Sequence, residues 1–264
     1  MSAFSEGTPN WADVSLTDLA AGRRFYGELF GWTFVDHGER FGHYTTAMRD
    51  GKNAAALMAK MDPSAPNAWN VYFATPDGAR TAAEIKDAGG QVVFGPAEVG
   101  DFGVMTGAVD PGGAYFGTWQ PGQHRGFDIT DRPGAFCWTE NLTRDPDAVD
   151  TFYDAVFGFG AEQLGDGEHF DYKVWSLPGE PEKKIAGRMK QGDDLPADVP
   201  AAFQLYFAVD DCDAAVAAVQ RLGGTVSGEP QDSPFGRLAA VADDQGASFV
   251  VIDQQRRIGA IPGR

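Results

Sequence analysis

Two carboxyl side chains occupy matching positions in this sequence. Asp13 stands two positions after Trp11, and Glu140 stands two positions after Trp138 in a later part of the chain. Both stretches alternate like β-strands, in which residues i and i+2 point to one face, so each acid shares a face with a tryptophan. If that face is buried, burial raises the pKa of the acid and makes it a candidate general acid or base. If the acid lies at a solvated strand edge, it has no such role, and the sequence leaves both readings open.

His43 is a third candidate for proton transfer. The sequence predicts a strand over residues 42–48, which places this imidazole between alternating residues, and its ordinary pKa suits exchange near neutral pH. A purely structural role is the alternative. The remaining histidines, His37, His124 and His169, fall in predicted turns or in the polar segment between the repeats described next, and we expect them at the surface.

The chain is an approximate tandem repeat. The pair Phe25-Tyr26 recurs as Phe152-Tyr153, at the same spacing that separates Trp11 from Trp138, and the Phe-Gly pair at Phe102 recurs at Phe235 with a slightly longer spacing. Repeats of this kind determine the fold and are best found first. They predict a first domain over residues 1–122, a linker over 123–133 and a second domain over 134–264.

Each half contains two successive β-α-β-β-β patterns. Period-2 strands alternate with helical stripes, and an Asp stands at the predicted start of each of the four helices, where its side chain can accept the unpaired backbone N–H groups. These residues are Asp18, Asp77, Asp145 and Asp211. Gly-rich pairs or single glycines are predicted to end the helices, because the residue there often needs a positive φ.

The four units resemble one known family. The stretch Phe25-Tyr26-Gly27-Glu28-Leu29-Phe30-Gly31-Trp32 after the first predicted helix, and the turn Asp110-Pro111-Gly112-Gly113 before a last strand, are similar to motifs of the vicinal oxygen chelate superfamily. That group includes glyoxalase I, bleomycin-resistance proteins and extradiol dioxygenases. The resemblance covers nearly the whole chain. It implies an α+β fold of two tandem glyoxalase-like domains, whose mixed sheets curl into cups that hold a small ligand, often on a divalent metal.

The residues at the family's metal positions differ from the family pattern. The resemblance places His, Glu or Gln ligands where this chain has Trp11, Asn70 and Gly117 in the first half and Trp138, Gln204 and Val250 in the second. Residues 53–56 and 184–187, near a further family position, contain no acid or imidazole. Divalent metals need several converging oxygen or nitrogen donors, and neutral amides are weak ones. We therefore expect no metal and no other cofactor, which disfavours metal-dependent chemistry.

The same alignment and strand alternation predict what lines each cup. The expected ligand-binding residues are Trp11, Asp13, Asn70, Tyr72 and Tyr115 in the first half and Trp138, Glu140, Gln204, Tyr206 and Ser248 in the second. Aromatic walls with a few polar anchors are typical of small-molecule pockets. The loops at Phe102 and Phe235 are interpreted either as covers over the cups or as plain turns. Cys137, next to Trp138, is expected on the opposite face, in the core.

These features support two classes of function. The first is a metal-free protein of the bleomycin-resistance type that binds a small aromatic or weakly cationic metabolite. The alternative is an enzyme, either a glyoxalase-like lyase or isomerase or a hydroxylase- or dioxygenase-like protein, with Asp13, Glu140 or His43 as weak catalytic candidates. A third reading makes one half purely structural. The sequence does not decide whether each cup forms within one half or between the two.

Composition limits the partners. The 264 residues have a formal net charge of −17, which disfavours nucleic acid and anionic membrane surfaces because both carry negative charge. The two cysteines are too few for a disulfide framework. The first residues lack a signal-peptide pattern, and no apolar run reaches the ~20 residues of a membrane span. We expect a cytoplasmic protein whose partner is a small molecule, with a homodimer left open.

Overall fold

The computed structural model describes residues 4–167, 170–192 and 195–259. In the first half the chain forms eight strands and two α-helices, in the order β1 Pro9–Leu16, α1 Leu19–Phe30, β2 Thr33–Asp36, β3 Thr45–Arg49, β4 Lys52–Ala59, β5 Ala68–Ala74, α2 Gly78–Asp87, β6 Gln91–Glu98, β7 Gly103–Val109 and β8 Tyr115–Pro121. A short 3-10 helix, Glu39–Phe41, lies between β2 and β3.

The second half repeats this order. Its elements are β9 Phe136–Thr143, α3 Pro146–Phe157, β10 Gly160–Leu164, β11 Tyr172–Leu177, β12 Glu180–Lys190, β13 Ala202–Ala208, α4 Cys212–Arg221, β14 Thr225–Ser233, β15 Gly236–Ala242 and β16 Ser248–Asp253. The four β-α-β-β-β units predicted from the sequence are therefore confirmed.

Each half builds its own eight-stranded sheet. The strand orders are β2-β3-β4-β1-β5-β8-β7-β6 and β10-β11-β12-β9-β13-β16-β15-β14. The two units of a half join where the antiparallel pair β1–β5, or β9–β13, sits at the centre of the sheet. The sheets remain open, with different strands at their two edges. The fold is α+β, and each cup forms within one half.

The helix starts follow the predicted capping chemistry. The Asp18 carboxylate accepts the backbone N–H groups of Ala20 and Ala21, and α1 ends at Gly31 in a left-handed conformation with φ 69°. The side chains of the other three aspartates, Asp77, Asp145 and Asp211, cap α2, α3 and α4 in the same way. These caps satisfy donors that the first helical turn leaves unpaired.

The repeated Phe-Tyr motifs join the two halves. The Tyr26 hydroxyl in α1 donates to Asp243 in the second half at 2.8 Å, and the Tyr153 hydroxyl in α3 donates to Asp110 in the first half at 3.2 Å. Both aspartates lie in the turn before the last strand of their sheet. The motif that reveals the repeat in the sequence thus contacts the opposite half, within one continuous aromatic core.

One predicted strand boundary is wrong. Strand β3 begins at Thr45, and His43 lies before it in a turn, with φ 58°. Gly42 precedes it in the same left-handed region, at φ 58°. A strand cannot accommodate two successive residues at positive φ, so the alternating pattern around His43 does not extend the strand to residue 42.

Candidate functional site

In the first half, Asp13 is the centre of a hydrogen-bonded network. The hydroxyl groups of Tyr44 and Tyr72 donate to its Oδ2 at 3.1 and 3.0 Å, and the Asn70 amide donates to Oδ1 at 2.9 Å. The Trp11 indole N–H donates to the Tyr44 oxygen at 2.7 Å. Strand register explains the grouping, since Asp13 lies opposite Asn70 and Trp11 opposite Tyr72 on β1 and β5.

Burial dominates the ionisation of this acid. The Asp13 side chain is 2% exposed, and desolvation raises its pKa to about 6, although the hydrogen bonds from Asn70, Tyr72 and Tyr44 act in the opposite direction. The negative charge of Asp13 in turn contributes, after burial, to raising the pKa of Tyr115 to about 12. Asp13 is therefore a buried carboxyl that keeps its proton at pH values where an exposed aspartic acid is already ionised.

The second half has the same arrangement around Glu140. The Tyr172 hydroxyl donates to Oε1 at 2.7 Å, the Tyr206 hydroxyl donates to Oε2 at 2.6 Å, and the Trp138 N–H donates to the Tyr172 oxygen at 3.1 Å. Burial again raises the pKa of Glu140, and the two phenol hydrogen bonds only partly offset it. Gly187 makes room for this network, since a Cβ there would lie 2.2 Å from the Tyr172 hydroxyl oxygen.

A cavity opens beside this second carboxyl. Its volume is about 320 Å³, and Glu140, Tyr172 and Tyr206 line it together with Trp138. Much of the remaining wall is apolar and includes Leu164, Val174, Pro234, Phe235, Leu238 and Ile252. Phe235, in the loop that the sequence left as either cover or plain turn, lies in the cavity wall and is 42% exposed. The arrangement suits a small apolar molecule with a single polar anchor.

Cys137 also lines this cavity, which corrects its expected position on the opposite face from Trp138. Strand β9 contains a bulge: Tyr206 pairs with Trp138 and Phe207 with Phe136, so Cys137 is an extra residue without a partner. Such an insertion breaks the alternation of side chains. Burial raises the pKa of the Cys137 thiol well above its usual range, so the thiol is neutral.

Charged groups stand around the cavity. Lys184 forms an ion pair with Glu162 at 2.5 Å, and Gln254 and Arg257 complete the lining from the segment after β16. The Arg257 Nε donates to the Gln254 carbonyl at 3.0 Å, and the residue is exposed. The charged or ionisable part of the lining thus comprises the buried Glu140, the Lys184–Glu162 ion pair and Arg257, beside the hydroxyls of Tyr172 and Tyr206 and the Gln254 side chain.

The chain itself covers the equivalent position in the first half. The imidazole of His124 lies edge-on against Trp11, with ring centroids 4.2 Å apart, and Phe127 packs on the same indole at 5.4 Å. The Trp119 N–H donates to the His124 carbonyl at 2.9 Å. Burial lowers the pKa of His124 to about 4. The expectation that His124 is a surface residue is wrong, because the segment after β8 folds over its own cup; His169 lies outside the described residues.

The remaining predicted site residues are not part of the hydrogen-bonded networks around Asp13 and Glu140. Gln204 pairs with Glu140 across β9 and β13 but does not line the cavity, and Ser248 is exposed at the start of β16. Tyr115 is 36% exposed on β8. His43 is exposed and contacts Asp36 at 3.1 Å, away from the Asp13 network.

Sequence reasoning missed the two tyrosines that complete the networks. Tyr44 and Tyr172 lie at matching places in the two halves, and each links the tryptophan of its half to the carboxyl. The repeat itself was the available signal. A tyrosine that recurs next to a predicted cup strand is a candidate hydrogen-bond donor to the acid on the neighbouring strand.

The side chains at the family's metal positions do not fit a divalent metal. Trp11 and Trp138 use their N–H groups as donors to tyrosines, and Asn70 donates its amide to Asp13. Within residues 4–167, 170–192 and 195–259, no three His, Cys, Asp or Glu side chains converge in a way that could hold a metal ion. The first network therefore holds one carboxyl, and the second cavity holds Glu140 together with Glu162, which is paired with Lys184, where a divalent cation needs several converging donors.

Comparison with known proteins identifies the family. Residues 8–117 match the Glyoxalase/Bleomycin resistance protein/Dioxygenase superfamily, and residues 138–252 match the Glyoxalase-like domain. The chain belongs to this superfamily, the vicinal oxygen chelate group, as two tandem domains. Within the described part of the chain, none of the helices has the length and apolar character needed to cross a membrane.

Two relatives match this chain over nearly their whole length. The chain is 37% identical over 258 residues to the "Putative glyoxylase CFP32" of Mycobacterium tuberculosis, with 95% of this chain and 96% of the relative covered. It is 35% identical over 280 residues to the anthracycline biosynthesis protein DnrV of Streptomyces peucetius, covering 100% of this chain and 99% of the relative.

Solved structures share the fold at low identity. The Mn(II)-bound glyoxalase from Novosphingobium aromaticivorans superposes with a TM-score of 0.65 at 15% identity, over 97% of this chain and 87% of that one. The 2,2',3-trihydroxybiphenyl 1,2-dioxygenase from Sphingomonas wittichii gives a TM-score of 0.65 at 14% identity, over 98% and 93%. These likenesses concern the fold alone.

Proposed function

We propose that this protein binds one small, planar aromatic molecule in the cup of its second half, without a metal ion, in the manner of a bleomycin-resistance protein. The observation that carries the proposal is the cavity of about 320 Å³ beside Glu140. That volume falls at the lower end of the range for small-molecule sites. Its wall is mostly apolar and aromatic, which favours a flat, apolar ligand.

Glu140 provides the polar anchor. Burial raises the pKa of this acid, and in its protonated form the carboxyl can donate a hydrogen bond to a ligand oxygen. A cationic ligand gains less from a neutral acid than from a carboxylate, so the aromatic option is preferred to the cationic one. The name of the Streptomyces relative, an anthracycline biosynthesis protein, is compatible with a flat polycyclic ligand.

The donor set supports binding without metal. In each cup the central carboxyl already accepts hydrogen bonds from two tyrosines, and the second carboxyl of the second cavity, Glu162, is paired with Lys184. A cation would have to displace those bonds and find its other ligands among indole, amide and aliphatic side chains. Metal analysis of the purified protein tests this part directly: one equivalent of tightly bound metal per chain would contradict it.

A second candidate is an enzyme that uses Glu140 as a general acid or base. A buried carboxyl with a raised pKa beside a cavity favours proton transfer in an isomerase- or lyase-like reaction. The M. tuberculosis relative carries the name of a glyoxylase. Turnover of methylglyoxal adducts by EDTA-dialysed protein, abolished in Glu140→Gln while binding persists, would favour this candidate over simple binding.

Isothermal titration of EDTA-dialysed protein tests the binding function. The probes are 2-naphthol, 2-naphthoate, 2-naphthamide and the hydroxyanthraquinone alizarin. We expect at least one of them to bind with one site per chain. Trp138→Phe should weaken that binding several-fold, because the indole lines the cavity.

Trp11→Phe is the matched control. Trp11 has the same place and the same type of hydrogen bond in the first half, but His124 and Phe127 cover it. This variant should bind as the unmodified protein does. The absence of binding across all four probes, or equal losses in the two variants, would contradict the proposal.

A further inference from the structure

The segments that follow the last strand of each sheet occupy the two cups differently. In the first half this segment places the His124 ring against Trp11, at 4.2 Å and an interplanar angle of 79°. A flat five-membered ring from the chain itself thus sits where a ligand would meet that tryptophan. The contact shows the geometry that this type of cup offers to a planar ring, an edge-on approach to the indole.

The second half has an arginine at the corresponding place. The spacing that relates Phe102 to Phe235 is the same as that between Asp110 and Asp243, and it also relates His124 to Arg257. Arg257 lines the cavity but is exposed, so it stands at the mouth and does not fill the cup. The ring that occupies the first cup is therefore replaced by an open space with a guanidinium at its entrance.

Of the two basic side chains in this lining, Lys184 and Arg257, only Arg257 lacks an acidic partner among the described residues. Lys184 is paired with Glu162, and the two oxygens of Glu140 already accept hydrogen bonds from Tyr172 and Tyr206. Among the described residues, Arg257 forms no ion pair, and its one side-chain hydrogen bond uses Nε, which leaves both terminal nitrogens to donate. The overall charge of −17 acts weakly here, since exposed charges are screened beyond about 8 Å at physiological salt.

We propose that the second cup selects planar aromatic ligands that carry a carboxylate, with the ring edge-on to Trp138 and the carboxylate on Arg257. The planar guanidinium suits a carboxylate, to which it can donate two parallel hydrogen bonds. The cavity accepts the ring among Leu164, Val174 and Leu238. This assignment rests on the proposed function, and it adds the acidic group and the residue that recognises it.

Isothermal titration at pH 7 with 2-naphthoate and 2-naphthamide, which share a ring and differ in charge, tests the assignment. We expect the acid to bind about tenfold or more tightly than the amide, as for a charge-assisted hydrogen bond. Arg257→Gln should reduce the affinity for 2-naphthoate to about that for the amide. Arg256→Gln is the control, because its neighbouring guanidinium is already engaged by Asp213 at 3.0 Å, and it should keep the preference.

The outcomes separate the two proposals. Equal affinities for acid and amide, or a preference that survives Arg257→Gln, overturn the role of Arg257 and leave the aromatic site standing. Failure of both probes to bind overturns this assignment, and the aromatic site is overturned with it only if 2-naphthol and alizarin also fail to bind. Circular dichroism of the variants checks that they are folded, and exposed Arg257 is a position where glutamine is expected to be tolerated.

Discussion

At the scale of single residues, each half contains a buried acid that accepts hydrogen bonds from two phenols and is linked through one of them to a tryptophan. Asp13 and Glu140 each accept two tyrosine hydroxyl groups, and in each half the indole N–H donates to one of those hydroxyls. In the first cup this network is covered by the chain, whereas in the second it faces a cavity. The two acids thus have similar surroundings but different access.

The raised pKa of Asp13 predicts how the free energy of unfolding changes with pH. Its folded-state pKa of about 6 lies above the ordinary 3.8, so the folded protein binds this proton more tightly than the unfolded chain does. The resulting stabilisation is complete below about pH 4 and is lost as pH rises through 6. Asp13→Asn cannot ionise, so between pH 4 and 7 its free energy of unfolding should rise relative to that of the unmodified protein by about 2 kcal/mol.

Urea denaturation at several pH values measures this difference. Asp36→Asn serves as the control with the opposite sign, since hydrogen bonding from Gly38 lowers the pKa of this exposed aspartate. That variant should lose stability relative to the unmodified protein as pH rises. If the curves for Asp13→Asn and the unmodified protein run parallel from pH 4 to 7, Asp13 does not titrate as described.

Residue patterns predicted the acids but not all their partners. Alternation along β1 and β9 placed Asp13 beside Trp11 and Glu140 beside Trp138, and the register of β5 and β13 brought Tyr72 and Tyr206 to them. Tyr44 lies just before β3 and Tyr172 is the first residue of β11, so their positions depend on the lengths of the preceding turns. Cys137 was misplaced because a bulge is a tertiary feature that alternation does not reveal.

At the scale of elements, the segment after β8 covers the first cup and so limits the access of a ligand to Trp11. Its backbone is held by the Phe127 N–H, which donates to the Asn10 carbonyl at 2.8 Å, and by the Asp128 N–H, which donates to the Asn53 carbonyl. Gly126 makes the close approach possible, with φ 104° and a position where a Cβ would lie 2.3 Å from the Asn10 oxygen. The sequence predicted a linker over residues 123–133, and nothing in its side chains indicated that this segment would pack over the first cup.

Gly126→Ala should therefore destabilise the protein more than a positive φ alone explains. The strain of a positive φ in a non-glycine residue costs about 1–2 kcal/mol, and displacement of the segment from Asn10 adds to it. Gly89→Ala isolates the strain, because Gly89 has φ 92° and a Cβ there would meet nothing within 4 Å. Thermal unfolding compares the two variants. Equal losses of stability would show that the segment is not held tightly against the first cup.

At the scale of the whole molecule, the two halves share one core. Phe30 of α1 packs on Phe207 at 5.1 Å, and Phe73 of β5 packs on Phe203 at 5.6 Å. The resemblance of the repeats predicted two similar domains, but it did not show that their motifs contact the opposite half. Such contacts depend on how the halves pack and leave no periodic pattern in either half.

The cross-half tyrosines test this packing. Tyr26→Phe removes the hydrogen bond to Asp243 and also the acceptor of the Trp69 N–H at 3.1 Å, so we expect a loss of about 1–3 kcal/mol in the free energy of unfolding. Tyr153→Phe should cost less, because Asn141 still donates to Asp110 at 2.7 Å. Tyr115→Phe, at a partly exposed phenol, is the control.

Calorimetry should show one cooperative transition, because the two halves share one core. Both Tyr26→Phe and Tyr153→Phe should lower its midpoint. Two separate transitions, of which a variant moves only one, would contradict a shared core. A loss for Tyr115→Phe as large as that for Tyr26→Phe would indicate a general effect of removing phenols.

The most direct test of the proposed site is the number of sites per chain. Isothermal titration of EDTA-dialysed protein with 2-naphthoate should give one site. Leu238→Trp, which fills the second cavity, should abolish it, whereas Met105→Trp, at the matching position on β7 of the first half, should leave it intact. Two sites per chain, binding that disappears with EDTA, or binding lost in Met105→Trp and kept in Leu238→Trp would contradict a metal-free site in the second cup.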